Sequence, residues 1–212
     1  MTAPVLAPPV AEKRPVAETW HGHTKHDDYK WLKAENWQEV MQDPSLLPAD
    51  IRAYLEAENA FTKTEMAGTE ALQAQLFAEL KGRIKEDDQS VPAPDGPYVY
   101  SSSFVIGGQY PLLKRRPKAG GAEELLFDCN ALAKDKPYFS LGGVARSPDH
   151  RLAAWSQDDK GSEFYEMRIR DFASGKDRGE VLQNTSGGAT WSADGQYIFY
   201  TLQDEHHRPL KS

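Results

Sequence analysis

Hydrophobic positions along this chain change their period once, and the change divides it. Between Pro48 and Met66, the residues Ile51, Tyr54, Leu55, Glu58 and Phe61 follow helical spacing with one polar exception. Pro48 suits a first helical position, and Asp50 favours the positive end of the helix dipole. Gly68 interrupts the pattern. Thr69 is then placed to cap a second helix, whose Leu72, Leu76, Phe77, Leu80 and Ile84 form one apolar stripe. Upstream, "HDDYKWLKAENWQEVMQD" brings Trp31, Trp37, Val40 and Met41 to one side of a short amphipathic helix. Residues 21–84 are therefore read as a helical segment that must pack against something.

From "KEDDQSVPAPDGP" the texture changes. Acidic residues and then Pro92, Pro94, Gly96 and Pro97 mark residues 85–97 as a hinge or linker. Over 98–212 the helical spacing gives way to short β-rich runs separated by turns, among them "YVYSSSFV", "QYPLLKRR", "ELLFD", "RLAAWSQD" and "EFYEMRIRDF".

One run is repeated. "GGVARSPDHRLAAWS", starting at Gly142, returns as "GGATWSADGQYIFYT", starting at Gly187; Gly142, Gly143, Ser147 and Asp149 map onto Gly187, Gly188, Ser192 and Asp194 at an offset of 45 residues. That period lies in the range of about 40–50 residues of propeller blades. In each copy Ser and Asp supply a side-chain-to-backbone turn, His150 or Gly195 takes the turn position, and an apolar strand follows. The paired glycines suit close backbone approach near a propeller axis. A pair of ordinary hairpins in a β-sandwich is the competing reading, and the combined turn, strand and period favour the propeller. The fold expected is mainly β: an incomplete propeller of about two to three blades, where a ring uses about 4–8, preceded by the helical segment.

Composition adds exclusions. The 212 residues carry 25 basic and 32 acidic side chains, a formal charge of −7, which disfavours a broad nucleic-acid surface. No stretch approaches the ~20 apolar residues of a membrane span. Residues 1–20 are rich in Ala and Pro and read as a flexible arm rather than a signal peptide. A single cysteine, Cys129, forbids an intrachain disulfide, and the expected compartment is the cytoplasm.

"DDYKWL", "YLEAENAFT", "LFAELKGRIKEDDQSVPAPDGPYVY", "GGQYPLLKRRP", "YFSLGGVARSPD" and "TSGGATWSADGQYIFYTLQDEHHRP" resemble, in order, segments of the oligopeptidase B branch of the prolyl oligopeptidase serine peptidases. The resemblance runs from about His21 to the C-terminus. It implies a longer parent in which the N-terminal helices wrap onto an α/β-hydrolase domain and a propeller of roughly seven blades restricts access. Substrates would be short peptides cut after Lys or Arg. The partners implied are those peptides and the hydrolase domain of the same chain, with self-association through exposed blade edges when this portion stands alone.

The family's nucleophile sits in a Gly-x-Ser-x-Gly elbow, and the 212 residues contain none. No catalytic residue is carried over, no cofactor or metal site is assigned, and the chain alone is expected to be inactive. The rival reading is a non-catalytic propeller-type binding or scaffold protein, and a third is a defective gene product. Four clusters invite other chemistry. His21, His23 and His26 with Asp27 and Asp28 offer metal-ligand types, but clustering alone fixes no tetrahedral geometry, and His206-His207 reads as a loop. Lys114, Arg115, Arg116 and Lys118 suggest an anion site, although a strand with alternate side chains in solvent explains them more simply. Asp87 and Asp88 stand beside the hinge as either interdomain ion-pair partners or a solvated linker. Cys129 has no activating neighbour in sequence and reads as a small buried residue.

Overall fold

The chain divides between Ile84 and Lys85 into two units. Both are seen in a computed structural model, which describes residues 7–211, Gln42 and Lys211 by backbone alone.

In the first unit, β1 (Val16–Trp20) and β2 (His23–Asp27) form an antiparallel hairpin, with Val16 opposite Asp27 and Trp20 opposite His23. His21 and Gly22 close it with φ of 51° and 81°, the double positive φ that a two-residue turn demands. Residues 1–20 were expected to be a flexible arm. Val16–Trp20 instead form a strand, because β2 supplies its hydrogen bonds, and that polar, histidine-rich partner carries no local strand signal. The expectation for residues 1–6 lies outside the described residues.

Helix α1 (Trp37–Gln42) is short, and α2 (Ala49–Met66) begins directly after Pro48. Arg14 fastens the first turn of α2: its Nη1 donates to Asp50 at 2.6 Å while its guanidinium lies 4.0 Å from the Trp31 ring centroid. Trp31 meets Tyr54 edge-on at 6.2 Å, and Ile51 is buried beneath. A single 3-10 turn, Ala67–Thr69, leads into α3 (Glu70–Gly82). Thr69 does not cap α3; its hydroxyl donates back to the Met66 carbonyl at 2.7 Å, since the chain is already helical and little remains to cap. Leu72, Leu76, Phe77 and Leu80 lie on α3 as expected, whereas Ile84 falls beyond its end at Gly82; all five are between 46% and 69% exposed.

The second unit is an incomplete β-propeller. Strands β3 (Ala93–Asp95), β4 (Tyr98–Ser103), β5 (Leu112–Pro117) and β6 (Glu124–Asp128) make one antiparallel meander in that order. β3 falls within the stretch read as linker: Pro92, Pro94 and Pro97 suppress a strand signal, yet an edge strand tolerates them because its outer N–H positions need no partner. After α4 (Cys129–Ala133), β7 (Ser140–Arg146), β8 (Leu152–Asp158), β9 (Tyr165–Asp171), β10 (Lys176–Trp191), β11 (Ile198–Gln203) and β12 (Pro209–Lys211) form a continuous six-stranded antiparallel sheet. β10 serves two blades. Its first part pairs with β9, Lys176 opposite Asp171 and Leu182 opposite Met167; after register shifts its last part pairs with β11, Ala189 opposite Tyr200 and Trp191 opposite Ile198.

The 45-residue echo is a repeated hydrogen-bond network. The Ser147 hydroxyl donates to Asp149 at 2.6 Å and accepts from the Leu152 N–H at 2.9 Å, while Asp149 accepts from the Arg151 N–H at 3.0 Å. Ser192, Asp194, Gln196 and Tyr197 repeat these at 2.5, 3.0 and 3.0 Å. His150 and Gly195 occupy the same position with φ of 59° and 71°. The glycine pairs lie where the inner strands of adjacent blades approach: a Cβ on Gly143 would stand 2.6 Å from the Gly187 carbonyl oxygen. The Trp191 indole N–H donates to the Ala145 carbonyl at 2.8 Å and holds the two strands together.

Asp149 and Asp194 are both held below the ordinary carboxylate range, first by the serine hydroxyl and then by the following backbone N–H. A group with a depressed folded-state value stabilises the fold above its unfolded value and loses that contribution as the pH falls through the folded-state value. The turns are therefore expected to weaken below about pH 4. An Asp149→Asn, Asp194→Asn double variant is expected to flatten the acid limb of unfolding followed by circular dichroism; an acid limb identical to wild type would refute the assignment.

Candidate functional site

The structure disperses the sequence's candidate clusters. His21 is in the hairpin turn, and His23 and His26, three apart on β2, project from opposite faces. Asp27 accepts from the Tyr29 N–H at 2.9 Å, and Asp28 pairs with Lys13 at 3.0 Å. Among the described residues no group of three or more His, Cys, Asp and Glu is placed to hold a metal ion. His207 lies in the β11–β12 turn, its ring stacked on Phe164 at 4.2 Å. Asp87 and Asp88 are exposed, and the Asp88 carbonyl accepts from the Phe104 N–H at 2.8 Å. Cys129 is fully buried, and that burial pushes its thiol up to about 11, which removes it as a nucleophile at neutral pH.

Ser147, Asp149 and His150 bring a serine, an acid and an imidazole together in sequence. The Ser147 hydroxyl is committed to Asp149 and Leu152, while His150 Nδ1 shares a 2.8 Å hydrogen bond with the Tyr100 hydroxyl. The imidazole does not face the serine, and the Asp149 carboxylate that does also accepts the Arg151 N–H, so these bonds close a turn.

The basic run divides by strand alternation. Arg116 and Lys118 face solvent; Lys114 pairs with Glu123 at 2.9 Å; Arg115 is only 7% exposed. Arg115 is the centre of a polar seam between the two sheets. Its Nη1 donates to the His150 carbonyl at 2.5 Å, its Nε to Glu124 at 2.8 Å, and its guanidinium lies 4.1 Å from the Tyr98 ring and 4.8 Å from Phe172. Arg146 crosses the other way, donating to Asp95 at 3.0 Å over the face of Tyr100. Sequence reasoning missed this seam. The available signal was His150 itself, an imidazole at the positive-φ position that its copy fills with glycine.

This geometry provides blade wall and inner framework. A family model described as "Prolyl oligopeptidase, N-terminal beta-propeller domain" matches residues 8–212. The chain belongs to the prolyl oligopeptidase family. Among curated members, Dipeptidyl aminopeptidase BI of Pseudoxanthomonas mexicana is 31% identical over 96% of this chain and 29% of its own length. Protease 2 of Moraxella lacunata is 30% identical over 96% and 29%. Oligopeptidase B from Leishmania major superposes with a TM-score of 0.83 at 25% identity, covering 96% of this chain and 30% of the other. The chain thus spans less than a third of the length of these prolyl oligopeptidase relatives and corresponds to their N-terminal, propeller-bearing portion. Among the described residues no helix is long and apolar enough to cross a membrane.

Proposed function

We propose that this chain is the helical and propeller portion of an oligopeptidase B-like serine endopeptidase that hydrolyses short peptides after Lys or Arg, with the propeller limiting access to the active site. The observation that carries this is the match of 8–212 to the family's propeller model, spanning both units in one order. The basic-residue preference is drawn from the sequence resemblance to oligopeptidase B and from the similarity to the Leishmania major oligopeptidase B. On this reading residues 21–84 pack on a hydrolase domain through the exposed α3 stripe, and residues 85–97 form the hinge. The proposed compartment is the cytoplasm, and exposed blade edges give the isolated portion a tendency to self-associate.

No Gly-x-Ser-x-Gly occurs in the sequence, so the 212-residue chain purified alone is expected to leave an Arg-linked chromogenic dipeptide at background hydrolysis. The gene product carrying this portion together with a hydrolase domain is expected to turn over the Arg-linked substrate in preference to a Pro-linked one, and to spare casein. Turnover by the chain alone that a serine-directed inhibitor abolishes, or a preference for the Pro-linked substrate, would overturn the proposal.

A further inference from the structure

Outside the apolar cluster that fills the space between the first two blades lies a surface cleft of about 810 Å³, which uses none of that cluster's buried residues. Tyr98, Arg115 and Leu125 reach it from β4, β5 and β6 of the first blade; Arg151 in the β7–β8 turn, Phe172 after β9 and Arg178 on β10 reach it from the second.

The cleft's charge is opposite to that of the chain. Three guanidiniums, Arg115, Arg151 and Arg178, line it against two carboxylates, Glu124 and Asp171, in a chain of formal charge −7. Both carboxylates are already engaged. Glu124 accepts from Arg115 Nε at 2.8 Å; Asp171 accepts from Arg178 and from the Ala173 and Ser174 N–H groups at 2.9 and 3.0 Å. Arg151 is the surplus cation, with no carboxylate among the described residues hydrogen-bonded to its guanidinium. Its backbone is nonetheless fixed at the rim: its N–H donates to Asp149 at 3.0 Å, and its carbonyl accepts from the Phe172 N–H at 2.9 Å.

Beside this charge stand apolar surfaces. The Tyr98 and Phe172 rings lie 4.1 and 4.8 Å from the Arg115 guanidinium, and Leu125 is 56% exposed. A guanidinium matches the planar or trigonal oxygens of carboxylates and phosphates, and concave sites of about 300–1,000 Å³ with apolar walls and few polar groups suit small organic molecules. A bare inorganic ion would leave the rings and Leu125 unused. A polyanion would be repelled by Glu124 and Asp171.

We propose that this cleft binds a small organic anion with a flat apolar body, a carboxylate or a phosphate monoester, whose charged end pairs with Arg151 and whose body lies against Tyr98, Phe172 and Leu125. The test is calorimetric titration of the 212-residue chain with benzoate, phenyl phosphate and inorganic phosphate. Saturable binding of benzoate or phenyl phosphate is expected, the tighter of the two naming the head group, with inorganic phosphate about tenfold weaker or more. Arg151→Gln is expected to weaken the organic probe about tenfold, the loss of a charge-assisted hydrogen bond. Leu125→Glu, at an exposed position, sets a further carboxylate in the cleft and is expected to abolish binding, whereas Arg116→Gln, on the solvent side of β5, leaves it unchanged. Without probe, all three variants are expected to melt with the wild type. Failure of both organic probes to saturate would overturn the site. An unchanged affinity in Arg151→Gln would overturn its placement, and inorganic phosphate binding as tightly as phenyl phosphate would overturn the apolar body.

Discussion

Trp155→Ala is expected to lower the unfolding free energy of the second unit by about 3–5 kcal/mol, the range for truncating a large buried aromatic side chain. Trp155 is 1% exposed and packs against Phe127, with the Arg170 guanidinium 5.1 Å from its ring. It also binds through its indole N–H, which donates to Asp177 at 2.9 Å; the same carboxylate receives Arg170 at 2.5 Å. Truncation therefore opens a cavity and removes one donor from a partly buried carboxylate. Trp155→Phe keeps most of the ring and loses the donor, so its cost is expected to be smaller, about 1–3 kcal/mol. Urea denaturation followed by far-ultraviolet circular dichroism measures both. A loss below about 1 kcal/mol for Trp155→Ala would mean that the unit's core is not organised around this side chain.

Gly143→Ala is the second large effect. The added methyl would sit 2.6 Å from the Gly187 carbonyl oxygen, a backbone atom that cannot rotate away. Relief requires the inner strands to separate, and overpacking of this kind costs about 1–3 kcal/mol. Gly188→Ala is the matched control: it lies in the same echo, and its added methyl would meet nothing within 4 Å. Thermal unfolding of the two variants is expected to separate them clearly, with Gly188→Ala near wild type. Equal melting temperatures would remove close strand approach as the reason for the glycine pairs.

The parts of this fold legible in the sequence are those written in local chemistry. The Ser-x-Asp turn at Ser147 and Ser192 is visible because all its partners lie within five residues, and the α3 stripe because helical spacing is a local property. The hidden parts depend on partners far along the chain. β1 is a strand because of β2, and nothing in "VAETW" announces a histidine-rich partner. Within the basic run, Arg115 looks like Arg116 until strand direction and a residue 35 positions away, His150, give it a different task. That no nucleophile elbow occurs in the sequence was legible, whereas the seam was not, because its members come from five strands, β3 to β7, and the β7–β8 turn. The helical cap assigned to Thr69 failed for a local reason: a helix that continues from another through one tight turn has few free N–H groups to satisfy.

The double duty of β10 bears on which length changes the family's chains can tolerate. Loops between strands absorb inserted residues at little energetic expense. The crossing from the second blade to the third has no separate loop, only the register shifts between Leu182 and Ala189, to absorb them. Deleting one residue between Gln183 and Gly187 would slide the inner part of β10 by one position, turn its alternate side chains over, and carry the Trp191 indole away from the Ala145 carbonyl. Blade 3 would then be set at the wrong angle from its first strand onward. Homologous chains should accordingly vary in length at the Phe104–Tyr110 and Asp159–Phe164 connections while keeping this crossing constant, so that the strand acts as the ruler by which blades are spaced.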